Sequence, residues 1–137
     1  MDLATIDTSL ITSFIYLTNS LTSFYMGYYI YSFFFFLLSS SSVLYRIIPY
    51  PSTYLIDKAC VYTVIGYGGY IFYIKLYTFT IWTSLFIIST FIMTIYLFNY
   101  GYLTKTMCFH NDEKCAKKYQ SLLHIISSIG HHCITLF

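Results

Sequence analysis

Two groups of polar side chains stand out in a chain that is largely apolar. The first is Ser42, Arg46 and Asp57; the second is Gln120, His124, Ser127, Ser128 and His131. The second group is spaced i, i+4, i+7, i+8 and i+11, which lays it along one stripe of a helix. Hydroxyl, carboxylate, imidazole and carboxamide groups in such a pattern can position water, hold a metal ion, relay protons or bond helices together. At membrane depth each is costly to keep, so each is a functional candidate. Plainer roles are also open: Arg46 and Lys58 can snorkel to headgroups, Asp57 can be a first-turn helix charge, and the stripe can serve only helix association. His131 and His132, near the end of the sequence, read as interfacial.

The elements that must position these groups follow from composition. Of 137 residues, 58% are hydrophobic, 23% are aromatic and 9% are charged. A soluble domain carries roughly 25% charged residues, and twelve charged side chains cannot cover this much Tyr, Phe, Ile and Leu. The chain is expected to be a single integral membrane domain, 1–137, folded as an all-α transmembrane bundle in the lipid bilayer. Net charge is +2 and the basic residues are scattered, so no footprint for nucleic acid is expected.

A crossing takes about 20 mainly apolar residues. Met1 to Phe14, with Asp2 and Asp7, lacks the basic start and cleavage site of a signal peptide and reads as retained. Ile11 to Tyr45 is too long for one crossing and short for two; the favoured division is an interfacial helix to Asn19 and a span over 21–44, with a hairpin as the alternative. Pro49 and Pro51 make 47–52 a turn. Thr53 then caps a helix with Asp57 in its first turn, leading into a span over 59–77. Gly66, Gly68 and Gly69 in that span allow close helix packing. A third span covers 79–99, with Trp82 and Tyr100 as interface anchors, a polar loop covers 101–118, and a fourth span covers 119–137. Four spans are expected, or five with the hairpin. Arg46, Lys58, Lys105, Lys114, Lys117 and Lys118 mark loops 45–58 and 100–118 as the cytoplasmic side, with Lys75 alone opposite. Both polar groups then begin at one membrane face and can share a pocket.

Ser42-x3-Arg46 with Asp57 eleven residues on, followed by Gln120-Ser121-Leu122-Leu123-His124-Ile125 and Gly130, resembles a degenerate copy of the CREST superfamily of membrane hydrolases, which includes alkaline ceramidases and adiponectin-type receptors. The resemblance implies a zinc site for lipid amide or ester hydrolysis, in which Ser42, Asp57 and His124 match the family pattern while Arg46 and Gln120 stand where two His ligands belong. It covers about 45 residues in two blocks. Catalytic zinc wants three protein ligands and an open water position. Arg46 is cationic at any working pH, and without the metal nothing lowers the pKa of an attacking water. The resemblance therefore implies an inactive relative, a pseudoenzyme, with its pocket held by an ion pair between Arg46 and Asp57.

Cys60, Cys108, Cys115 and Cys133 read as free thiols, because Cys108-x-His110-x4-Cys115 is outside the usual metal spacings. The 17 tyrosines exceed what interface belts use, so several are expected to face other protein. The function expected is that of a non-catalytic structural component of a larger membrane assembly, in a viral internal membrane (a virion membrane) or an organelle membrane complex. Its partners would be other membrane, capsid or complex subunits, and no cofactor is expected. The alternative is a zinc-dependent hydrolase of the CREST type, with His124 as a ligand.

Overall fold

Local chemistry sets the helix boundaries in the computed structural model, which describes residues 7–137; Asp2 lies outside them. All the regular structure there is helical, with no strand among the described residues. Asp7 caps α1 (Thr8–Ser13) by accepting hydrogen bonds from the Ser9 amide at 2.9 Å and the Ser9 hydroxyl at 2.6 Å. Helix α2 (Ile15–Tyr25) continues from it and ends at Gly27, whose φ of +82° is a left-handed conformation that suits glycine. Helix α3 (Tyr29–Ile47) then runs back along α1 and α2. Ser20 and Ser32 exchange hydrogen bonds at 2.7 and 2.8 Å, and Ser39 donates to the Ser13 carbonyl at 3.1 Å.

The first apolar segment is therefore a helical hairpin, not one helix over 21–44 behind an interfacial piece ending at Asn19. The break falls at Gly27, whose backbone is left-handed, and serines on both arms are small enough for close approach and hydroxylated enough to bond across it. Asn19, placed at a helix end by its polarity, is buried in α2 and donates to the Ser128 carbonyl at 3.0 Å.

Helix α4 (Pro51–Lys75) starts two residues before Thr53, with Pro51 in the first turn, where a missing N–H costs nothing. Thr53 does not cap from outside. Its hydroxyl accepts from the Tyr50 amide at 3.1 Å and donates to the Ile48 carbonyl at 2.6 Å, so Asp57 falls beyond the first turn. Helix α5 (Ile81–Ile95) continues through a π-helical turn at Tyr96–Tyr100 into α6 (Gly101–Thr104), so the loop assigned to 101–118 begins later than expected. After a 3-10 turn at Met107–Phe109, Asp112 caps α7 (Glu113–Leu136), which starts well before residue 119. Two of these elements, Tyr29–Ile47 and Ile81–Thr104, are long and apolar enough to cross a membrane.

Helix α7 packs against α1, α2, α4 and α5, and the polar stripe lies on its buried side. Gly130 brings α7 against Thr90 of α5. At one end Lys117 pairs with Asp7 at 3.4 Å; at the other the Lys75 ammonium donates to the Ile134 carbonyl at 2.7 Å and completes the C-terminal turn. The interior is rich in Ser, Thr, Asn and His, while Leu, Ile, Phe and Tyr crowd the exterior of every long helix.

Of the three glycines assigned to packing, only Gly68 serves it inside the fold. A Cβ there would stand 2.7 Å from the Tyr31 hydroxyl and 2.8 Å from the His131 ring, whereas Gly66 and Gly69 face outward with nothing within 4 Å. Phase decides this, since residue 68 is turned about 160° from residue 66 and about 100° from residue 69 around α4.

Candidate functional site

Ser42, Arg46, Asp57, Gln120 and His124 all line one cavity of about 160 Å³ between α2, α3, α4 and α7. It lies toward the end of the bundle that carries the 48–50 turn and the 105–112 loop, with Cys108 and Phe109 in its wall. The antiparallel run of α3 into α4 brings Ser42 to Asp57, and α7 presents Gln120 and His124 from the facing side.

Asp57 is 5% exposed and fully engaged. It accepts from the Ser42 hydroxyl at 2.6 Å and the Ser41 hydroxyl at 3.4 Å, and it pairs with Lys58 at 3.2 Å. Arg46 does not join it. The guanidinium reaches across to α7, where Nη1 donates to Gln120 Oε1 at 2.5 Å, and Gln120 Nε2 donates to the Cys108 carbonyl at 3.1 Å. The expected ion pair between Arg46 and Asp57 is thus replaced by two separate contacts. The serines at positions 41 and 42 and the adjacent Lys58 satisfy the carboxylate locally, leaving Arg46 free to reach Gln120. Arg46 Nε is buried with no acceptor.

His124 is held from an unforeseen direction, since its Nδ1 is 2.9 Å from the Thr12 hydroxyl of α1 and its ring lies edge-on to Tyr16. Thr12 and Tyr16 give no signal in the sequence, because both fall in the stretch up to Asn19 that reads as interfacial. His131 is not interfacial: it is 1% exposed, hydrogen-bonded through Nδ1 to the Tyr31 hydroxyl and enclosed by Phe35 and Phe91. Its Nε2 has no partner. His132 is half-buried beside the Thr18 hydroxyl at 3.0 Å. Cys108 is a buried free thiol, and burial pushes its pKa up to about 11 despite the Lys58 and Arg46 charges nearby.

The residues present do not fit zinc. Of the three positions the family pattern assigns to ligands only the third, His124, is an imidazole; a guanidinium, Arg46, occupies the first, and the oxygen of Gln120, at the second, is already taken by that guanidinium. Among the described residues no three His, Cys, Asp or Glu side chains converge. The cavity is instead a mildly cationic hydrogen-bonding chamber, with Arg46 and Lys58 set against Asp57 alone. Compared with protein-family models, curated proteins and solved structures, the chain has no match in any of the three.

Proposed function

We propose that the protein is a non-catalytic integral membrane subunit that crosses the bilayer five times and is built into a larger membrane assembly through the outer face of α4. The observation that carries this reading is a stripe on that face. Tyr62, Gly66, Gly69, Tyr70 and Tyr73, spaced i, i+4, i+7, i+8 and i+11, all point away from the fold, and the three tyrosines are 57–73% exposed. Tyr62 and Gly66 lie near the middle of a 25-residue helix. At that depth lipid tails offer a tyrosine hydroxyl no partner, which favours a protein neighbour. The two glycines open a groove where another helix can approach.

Support for five crossings comes from the hairpin about Gly27 and the alternating helix directions, with an apolar exterior around a polar interior. On that topology residue 7 lies on the same side as the 48–50 turn and the 105–112 loop, which carry the excess of basic residues. Absence of catalysis is inferred from Arg46 and Gln120, which bond to each other at two of the positions where a metal-dependent hydrolase of this pattern would need ligands.

The test is the size of the protein extracted in mild detergent. Wild-type chain should run in a stoichiometric complex with other membrane subunits, and the Gly66→Ile/Gly69→Ile double variant should run alone. A wild-type chain that is monodisperse and solitary overturns the assembly role, and stoichiometric zinc that disappears on His124→Ala overturns the non-catalytic one.

A further inference from the structure

We infer that the cavity between α3, α4 and α7 is a binding site for a phosphate group, borne by an anionic lipid headgroup and held by the Arg46 guanidinium. The proposal shares with the reading above only the membrane setting and holds whether or not the α4 face is covered.

The inference starts from an imbalance of charge. Three permanently or ordinarily charged groups line the cavity: Arg46, Lys58 and Asp57. Lys58 and Asp57 pair at 3.2 Å, and the carboxylate also receives both serine hydroxyls, so it has little left to offer. Arg46 has no carboxylate among the described residues; its one protein acceptor is the neutral Gln120 oxygen. Arginine cannot shed its proton to relieve the mismatch. A partly buried cation with a spare donor is unfavourable unless an acceptor is supplied. Arg46 Nε, buried and unpartnered, is that donor.

The shape of the vacancy in bonding agrees with phosphate. A guanidinium presents its donors as a planar fork that matches two oxygens of a phosphate. With Nη1 committed to Gln120, Nε and Nη2, one edge of the fork, have no protein acceptor. Ser127 and His124 line the same space and can add donors. The cavity volume of about 160 Å³ leaves room for a phosphate group. Tyr45, Tyr54 and Phe98 are also in the lining, rings suited to the boundary between headgroups and acyl chains. Lys114, Lys117 and Lys118 lie in the first turns of α7 at this end of the bundle, where positive charge favours anionic lipid.

The test uses the full chain in nanodiscs of phosphatidylcholine, with thermal unfolding as the readout. Doping the bilayer with phosphatidic acid should raise the midpoint of the wild type, and Arg46→Gln should weaken the apparent affinity at least about tenfold, as loss of a charged hydrogen bond requires. Arg46→Lys, which keeps the charge but loses the fork, should fall between them, and it decides the matter if Arg46→Gln does not fold. Lys105→Gln should bind like the wild type. A midpoint raised by inorganic phosphate in pure phosphatidylcholine would uphold the phosphate site but assign it a soluble ligand. No stabilisation by either source, or an equal loss in Lys105→Gln and Arg46→Gln, overturns the proposal.

Discussion

Arg46 of α3 is hydrogen-bonded to Gln120 of α7, and not to Asp57 of α4, although all three line the same cavity. This one contact ties the second arm of the hairpin to the last helix and passes on to the 105–112 loop through the Cys108 carbonyl. Hydrogen bonds to a charged partner are worth about 1.5–3 kcal/mol. Gln120→Ala should therefore cost about 2 kcal/mol in detergent unfolding, because it leaves the guanidinium without a protein acceptor. A double-mutant cycle with Arg46→Gln should return a coupling of about 1–2 kcal/mol. Additive effects would mean that the two side chains do not meet.

The glycines of α4 make a second, discriminating prediction. Gly68→Ala drives a methyl group into Tyr31 and His131, and overpacking of that kind costs about 1–3 kcal/mol. Gly66→Ala and Gly69→Ala meet nothing within 4 Å and should be stabilising in the isolated chain by about 0.5–1 kcal/mol, the usual advantage of Ala over Gly in a helix. Thermal unfolding of the three variants separates them, and an order other than Gly68→Ala as the least stable contradicts the packing described.

These cases also mark what was legible in the sequence. Helical structure throughout follows from the apolar runs, and the turn at residues 48–50 follows from Pro49 and Pro51. The gathering of Ser42, Arg46, Asp57, Gln120 and His124 around one space follows from helical spacing and the count of chain reversals. What misled was polarity taken as a sign of exposure. Thr18, Asn19 and Ser20 look like a helix end, yet in a polar interior they are the contact surface, with Asn19 bonded to Ser128 at 3.0 Å. His131 looks like a terminal interfacial residue for the same reason. The partner of Arg46 was hidden differently: Asp57 is the obvious choice by charge, but the hydroxyls that claim it come from the same Ser run that ends the hydrophobic stretch. Whether a given glycine faces in or out depends on the phase of α4, which its sequence leaves open because α4 is apolar nearly all round.

Cysteine reactivity gives a third prediction. With its pKa raised to about 11 by burial, the Cys108 thiol is about one-thousandth thiolate at pH 8. Cys115, half-buried at the start of α7, is the internal comparison. In the folded protein at pH 8, iodoacetamide should modify Cys115 well before Cys108, and the difference should vanish in denaturant. Mass spectrometry of the labelled peptides reads this directly, and early modification of Cys108 would show the cavity wall to be open.

The contact of Asp7 with Lys117 predicts a modest dependence on acid. Partial burial raises the Asp7 carboxyl, but the Ser9 hydroxyl and amide and the Lys117 ammonium outweigh it and hold the pKa below its ordinary value. A carboxylate with a lowered folded-state pKa stabilises the fold above its unfolded pKa of about 3.9, and that stabilisation is lost as pH falls through the folded value. Both partners are partly exposed, so less than about 1 kcal/mol is at stake. The unfolding midpoint should drop below about pH 4 in the wild type, and Asp7→Asn should remove this component. An unchanged acid profile in Asp7→Asn would place the titration elsewhere.

The same ion pair fixes a prediction about crossings. Residue 7 sits beside Lys117, at the end of the bundle that carries the 48–50 turn, while Gly27 and the 76–80 turn lie at the other end. If the hairpin spans the bilayer, single cysteines introduced into a cysteine-free background should fall into two sets. Met26→Cys and Thr78→Cys should react from outside the cell or vesicle with an impermeant maleimide. Asp7→Cys, Tyr50→Cys and Asn111→Cys should react only after permeabilisation, as the positive-inside rule predicts for the end richer in basic residues. An interfacial first segment makes a different pattern, since residue 7 would then label from outside together with Thr78, on the far side of α3 from Tyr50. Labelling of Asp7→Cys without permeabilisation, with Tyr50→Cys still protected, would therefore reduce the crossings to four and require α1 and α2 to leave the position they hold against α7.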